Sequence, residues 1–224
     1  MLLGECILPY RILQTFEGVV PVTAAGAVLD AQAAANRGFS GLHGWMSAAE
    51  TVWNENRAST MSLIEQFDYY GKLTAQFPLS ARRVIYAASG TIPAACLLRD
   101  SLGVIEHGIY WTPVTTEAEG DYLVALLNSE TARARVAALQ ARGQWGARHF
   151  DKVVFTLPIP RFDETIPLHL ELAAAARNAE TFASNVAVSQ SVKFQRARKL
   201  IRDALIAEGI APRIETLVAR LLDA

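Results

Sequence analysis

The spacing of apolar positions changes character several times along this 224-residue chain. Between residues 6 and 29, short apolar runs (6–8, 10–13, 19–22, 27–29) alternate with breaks at Pro9, Gly18, Pro21 and Gly26, which predicts short strands, with Pro21 at a sheet edge. The chain enters this pattern without lead-in, as an excised domain would. From residue 31 the period becomes helical: 31–36, closed by Gly38, then 42–56. In the second run Trp45, Ala49 and Trp53 recur at every fourth position, which predicts an aromatic face packed into a core. Residues 62–67 add a helical turn. Between 68 and 112 the pattern returns to strands at 69–73, 83–87, 94–98 and 108–111, separated by Gly, Pro, Ser and Asp. Residues 88–93 form a turn of small side chains that permits close approach to its backbone.

A long helical pattern covers 116–140, with Glu117 and Glu119 at its positive end, Tyr122, Leu123, Leu126 and Leu127 along its apolar face, and a break at Asn128-Ser129. Arg133 and Arg135 fall on the outward side, and Gly143 terminates the run. The next stretch changes register completely. Residues 139–152 mix Arg142, Gln144, Trp145, Arg148, His149 and Lys152 with glycines, a composition that resists burial because cations are costly to desolvate without partners. Residues 153–157 are apolar, aromatic and β-branched, which predicts a short buried strand stopped by Pro158 and Pro160. A polar cationic loop pinned by a rigid element is how binding loops are built, and it is equally how an ordinary solvated loop looks.

Beyond Pro160 the pattern is helical alone. A boundary near 163 is expected, giving a domain over 1–162 and a helical tail over 163–224. The tail reads as a helix opened by Pro167, a second over 192–207 carrying Arg196, Arg198, Lys199 and Arg202, and a short amphipathic third over 213–223. An isolated helix of that length is marginal, so its Ile214, Leu217, Val218, Leu221 and Leu222 must pack on something. The basic run of the second helix is either a solvated face or a grip for phosphates. The fold class expected is α+β: a mixed or antiparallel sheet with packed helices, followed by a helical C-terminal tail.

Composition narrows the functional classes. Half of the residues are hydrophobic and the formal net charge is −1, so nucleic-acid contact has to come from a local patch rather than a basic coat. Cys6 and Cys96 stand far apart with no Cys-x-x-Cys pairing, which fits buried thiols of a cytoplasmic protein. No secretory pattern or long apolar span appears, so no membrane partner is expected. His43, His107, His149 and His169 lack metal-ligand spacing. Gly108-Ile-Tyr110 matches the opening of a nuclease tripeptide motif, but no Tyr-Ile-Gly follows, and no Asp/Glu-x-Lys triplet is present.

Three motifs in order carry a family likeness: Asn128-Ser129 after a helix, then Gly143-x-Trp-Gly-Ala-Arg-His-Phe-x-Lys152, then Leu157-Pro-Ile-Pro160. Together they resemble the target-recognition domain of adenine-N6 DNA methyltransferases of type I, type IIG and related restriction–modification systems. The likeness extends from about residue 7 to 222 and is strongest over 110–162. It implies a sequence-specific DNA-reading module with double-stranded DNA and a methyltransferase domain or subunit as partners. Arg142, Arg148 and Lys152 would meet phosphates or guanine edges, Gln144 would read adenine, Trp145 would stack or wedge, and His149 would join the cluster. Lys72, Leu73, Gln76, Ser89 and Gly90 would lie in the recognition half. The chain lacks the Asn/Asp-Pro-Pro-Tyr/Phe box and the Gly-rich turn that receives S-adenosylmethionine, so the likeness implies no enzyme and no cofactor here, with that cofactor on the separate methyltransferase domain. A protein–protein docking module of a multi-subunit assembly is the alternative, and a small enzyme with an unrecognised site is a third. One basic surface would favour DNA reading; an apolar patch would favour docking.

Overall fold

The computed structural model describes residues 1–223 except 89, 91, 140, 141, 144, 145, 148–150 and 190; at 142, 143, 146, 147, 151 and 152 it describes secondary structure only. The chain forms two compact units, one of Met1, Glu17–Ser80 and Leu102–His107, the other of Leu2–Phe16, Ala81–Ser101 and Gly108–Ala224. The α+β class is as expected, and every sheet pairing among the described residues is antiparallel.

The smaller unit is helical. Helix α1 (Ala31–Asn36) starts where Asp30 accepts the amide of Ala33 at 2.7 Å, an N-cap that satisfies an otherwise orphaned donor. Helix α2 (Ser40–Asn56) follows, then α3 (Leu63–Phe67), opened by a reciprocal Ser62–Glu65 capping box. The backbone bond between Ser62 and Glu65 holds the Glu65 carboxyl below its ordinary range. A single antiparallel bridge, Val22 to Val28, is what remains of the strands expected at 19–22 and 27–29. The buried Gln76 amide exchanges both hydrogen bonds with Ile105, each at 2.8 Å, and so ties 102–107 to the rest of the unit.

Two expectations fail in this unit. The expected strand at 69–73 is a chain of 3-10 turns, because Asp68 captures the amides of Leu73 and Thr74 that a strand would need. The aromatic face of α2 is not core either. Met46 is its one fully buried residue, and Trp45 is 46% exposed, stacked at 6.3 Å on Phe67. Trp53 is half-buried and donates its indole N–H to the Met61 carbonyl.

The larger unit is built on a three-stranded sheet in the order β4–β3–β5. Its centre is β3 (Arg83–Ala87), buried along its length, paired with β4 (Ala95–Leu98) and β5 (Ile109–Pro113); Ile85 faces Cys96 on one side and Trp111 on the other. A short hairpin of β1 (Ile7–Leu8) and β2 (Arg11–Ile12) joins it through the Tyr10 amide, which donates to the Ala95 carbonyl. Cys6 and Cys96 are buried thiols, and burial pushes the Cys96 thiol well up.

Helix α4 (Glu117–Asn128) lies against β4, and its Gly120 permits the close approach, since an added Cβ would stand 2.7 Å from Leu97 Cδ1 and displace that side chain. The other face of α4 receives α6 (Pro167–Asn185), whose buried Ala173, Ala175, Ala176, Ala179 and Ala183 allow a close approach of the two helices. Arg11 reaches the carbonyls at the end of α6, donating to Ala183 and Val186. Helices α5 (Glu130–Val136), α7 (Phe194–Ala207) and α8 (Ile210–Leu222) complete the unit, with Ile214, Leu217, Val218 and Leu221 of α8 buried as expected. Position 163 is therefore no division between compact units: the tail helices share one core with the sheet and α4. Among the described residues no helix is long and apolar enough to cross a membrane.

Candidate nucleic-acid interface

The cationic stretch expected to read DNA leaves α5 and a 3-10 turn (Ala137–Leu139) and enters a two-residue strand β6 (Arg142–Gly143), paired antiparallel with β7 (Gly146–Ala147). Arg142 pairs in register with Ala147. Gln144, Trp145, Arg148 and His149 lie outside the described residues, as does Ser89. Lys152 falls in the next element, a 3-10 helix Asp151–Thr156.

That helix corrects an expectation, since residues 153–157 read as a buried strand. Only Val154 is fully buried, and the Val153 carbonyl accepts from the Thr156 hydroxyl rather than from a sheet neighbour. Strand propensity loses here because the segment is held by its side chains rather than by a strand partner. Phe155 stands edge-on to Tyr86 at 5.9 Å and to Tyr110 at 5.6 Å, anchoring it over β3 and β5. Beyond it, Tyr122 of α4 donates its hydroxyl to the Pro160 carbonyl at 2.8 Å, and burial raises that phenol to about 12. Tyr122 and Phe162 pack on His169, which accepts the Asp163 amide on Nδ1. The Leu-Pro-Ile-Pro run is thus a strap fastened to the core, and His169 is part of the fastening.

The Asn-Ser pair that begins the family likeness is structural. Asn128 Oδ1 accepts the Ala95 amide and its Nδ2 donates back to the Ala95 carbonyl, both at 2.9 Å, so the side chain stands in for a strand neighbour. Ser129 restarts the helix, capping Ala132, and donates its hydroxyl to Glu215 of α8 at 2.7 Å. Glu215 also accepts the Glu130 and Thr131 amides, each at 2.8 Å, placing a carboxylate on the positive end of α5.

The basic run of α7 divides by environment. Arg198 is 1% exposed, donating to the Ile7 and Gly4 carbonyls with its guanidinium over Phe194, and burial lowers it to about 10. Its Nη1 lies so close to Gly90 that an added Cβ there would stand 2.3 Å away; Gly90, at φ +129°, is a position where nothing larger fits. Arg202 pairs with Glu130, and Lys199 with Asp203. Lys193 and Arg196 are exposed at the start of α7, with no ion-pair partner among the described residues.

Lys72 is exposed but belongs to the other unit. Charge is not shared evenly: the smaller unit holds three basic residues against seven acidic, the larger eighteen against fifteen. The net charge of −1 conceals this division. Sequence reasoning missed it because the smaller unit is assembled from segments separated by the strands of the larger. Among the described residues no group of three His, Cys, Asp or Glu side chains could hold a metal ion. No family model, curated protein or solved structure matches the chain.

Proposed function

We propose that the chain is the sequence-reading module of an adenine-N6 DNA methyltransferase or restriction–modification enzyme, acting on duplex DNA beside a separate methyltransferase domain that carries S-adenosylmethionine. The observation that carries the reading is the anchoring of the 139–152 stretch: Val136 and Val154 are buried on either side of it, in the unit with the excess of basic residues. A loop bearing Arg142, Arg148 and Lys152, held at both ends on a rigid core, supplies cations without the entropy cost of ordering a free segment. Lys193 and Arg196 on the same unit add charge for phosphates. Specific contacts fall to Gln144, Arg148 and Trp145, and a wider electrostatic footing to Arg142, His149 and Lys152.

The test is fluorescence anisotropy on a randomised duplex pool across a salt series. Binding falls steeply with salt, as release of counterions from the phosphates requires. Arg148→Ala costs about 1–3 kcal/mol on the preferred sequence and relaxes preference, while Lys152→Ala weakens all sequences alike and lowers the salt slope by about one. Duplex binding that is unchanged in both variants refutes the loop assignment.

A second reading, protein docking, is favoured by α2, where Trp45 and Val52 are 46% and 60% exposed on an acidic unit. It predicts that the chain captures its methyltransferase partner through that helix, and that Trp45→Ser abolishes co-purification.

A further inference from the structure

The smaller unit holds a residue in a conformation that folding alone does not favour. Tyr70 has φ 56° and ψ 27°, the left-handed region that a side chain makes costly, and it is 83% exposed. Burial therefore does not offset the strain. The surrounding turn enforces it: Asp68 accepts the amides of Leu73 and Thr74 at 3.0 and 2.9 Å and the Thr74 hydroxyl at 2.8 Å, and Gly71 continues the left-handed path at φ 67°. Tyr69 packs against Tyr70 at 4.4 Å between ring centroids, tilted by 59°. The result is an aromatic ring projected from a preorganised turn, with the exposed ammonium of Lys72 two residues on. The acidic groups next to it are engaged locally, Asp68 on the amides of Leu73 and Thr74 and Glu65 on the Ser62 cap.

Strain retained at an exposed residue points to use. We propose that Tyr70 is a wedge that stacks against a base step of duplex DNA, with Lys72 on the adjoining phosphate. This inference rests on the DNA-reading function argued above. An aromatic face is the chemistry a base step accepts, and inserted side chains unstack and kink such steps. The flanking cation suits a nucleic acid better than an apolar protein surface. Because the smaller unit is acidic on balance, its contribution is short-range: stacking by the ring, with one phosphate contact from Lys72.

The experiment uses the full chain and its preferred duplex, taken from the pool selection, with 2-aminopurine placed in turn at each position to report unstacking. In the parent, fluorescence rises at one step on binding. Tyr70→Ala loses roughly ten- to a hundredfold in affinity together with that rise, and leaves the salt slope unchanged. Tyr70→Phe keeps both, since stacking needs the ring and not the hydroxyl. Tyr70→Gly relieves the backbone and melts no lower than the parent, yet binds as poorly as Tyr70→Ala. Lys72→Ala lowers the salt slope by about one. Parental affinity and fluorescence in Tyr70→Ala and Tyr70→Gly overturn the wedge while leaving DNA reading intact. A parent that binds no duplex overturns both readings, and loss of a protein partner alone in Tyr70→Ala assigns the ring to docking.

Discussion

Replacing Glu215 with alanine tests how the C-terminal helix is joined to the rest of the larger unit. Its carboxylate receives three hydrogen bonds, from the Ser129 hydroxyl and from the Glu130 and Thr131 amides. Two of those donors belong to the first turn of α5, where the helix itself offers no acceptor. A hydrogen bond to a charged group contributes about 1.5–3 kcal/mol, and loss of an N-cap costs about 1. Glu215 is only partly buried, so water replaces some of what is removed, and a loss of about 2–3 kcal/mol is expected. For a chain of this size that lowers the melting temperature by about 5–10 °C. A double-mutant cycle with Ser129→Ala isolates the contact and should give a coupling of about 0.5–3 kcal/mol. Hydrogen exchange at the Glu130 and Thr131 amides should accelerate in the variant, while the amides of β3 keep their protection. A melting temperature within about 1 °C of the parent, with no coupling in the cycle, would refute the claim that α8 caps α5.

Two further outcomes follow from the same core. Leu217→Asp with Leu221→Asp places two carboxylates where side chains are 5% and 4% exposed, and should destabilise by more than about 4 kcal/mol in chemical denaturation; a parental midpoint would mean α8 does not pack. Burial raises the Asp121 carboxyl, outweighing the pull of Arg177 and Arg99, so the folded chain keeps a proton that the unfolded chain releases. The contribution of this group therefore falls as pH rises from the ordinary carboxylate value to the raised one. Melting curves should show Asp121→Asn gaining on the parent across that window and level above it; a relative loss with rising pH would mean the two arginines outweigh burial.

The sequence by itself determined the elements whose signals are local. Proline in the first turn of α6 and the apolar spacing of α8 each marked a helix that the fold contains. The strands β3, β4 and β5 were legible because continuous β-branched and apolar runs stood between turn residues. The α+β class followed from those two kinds of pattern together. What tertiary structure decided were the matters that depend on partners distant in sequence. The 153–157 run has a strand's composition, yet it became a 3-10 strap because Tyr86 and Tyr110 held Phe155 and no strand edge received its backbone. Arg198 reads as one more solvated cation of a basic helix, but its guanidinium is buried on the carbonyls of Gly4 and Ile7. Tyr70 and Gly71 read as strand, and only the Asp68 carboxylate folding back over them set the left-handed turn. Local spacing fixes which face of a segment is apolar; which groups lose their water is settled when the segments meet, and the energy of that step lies in contacts between residues far apart in the chain.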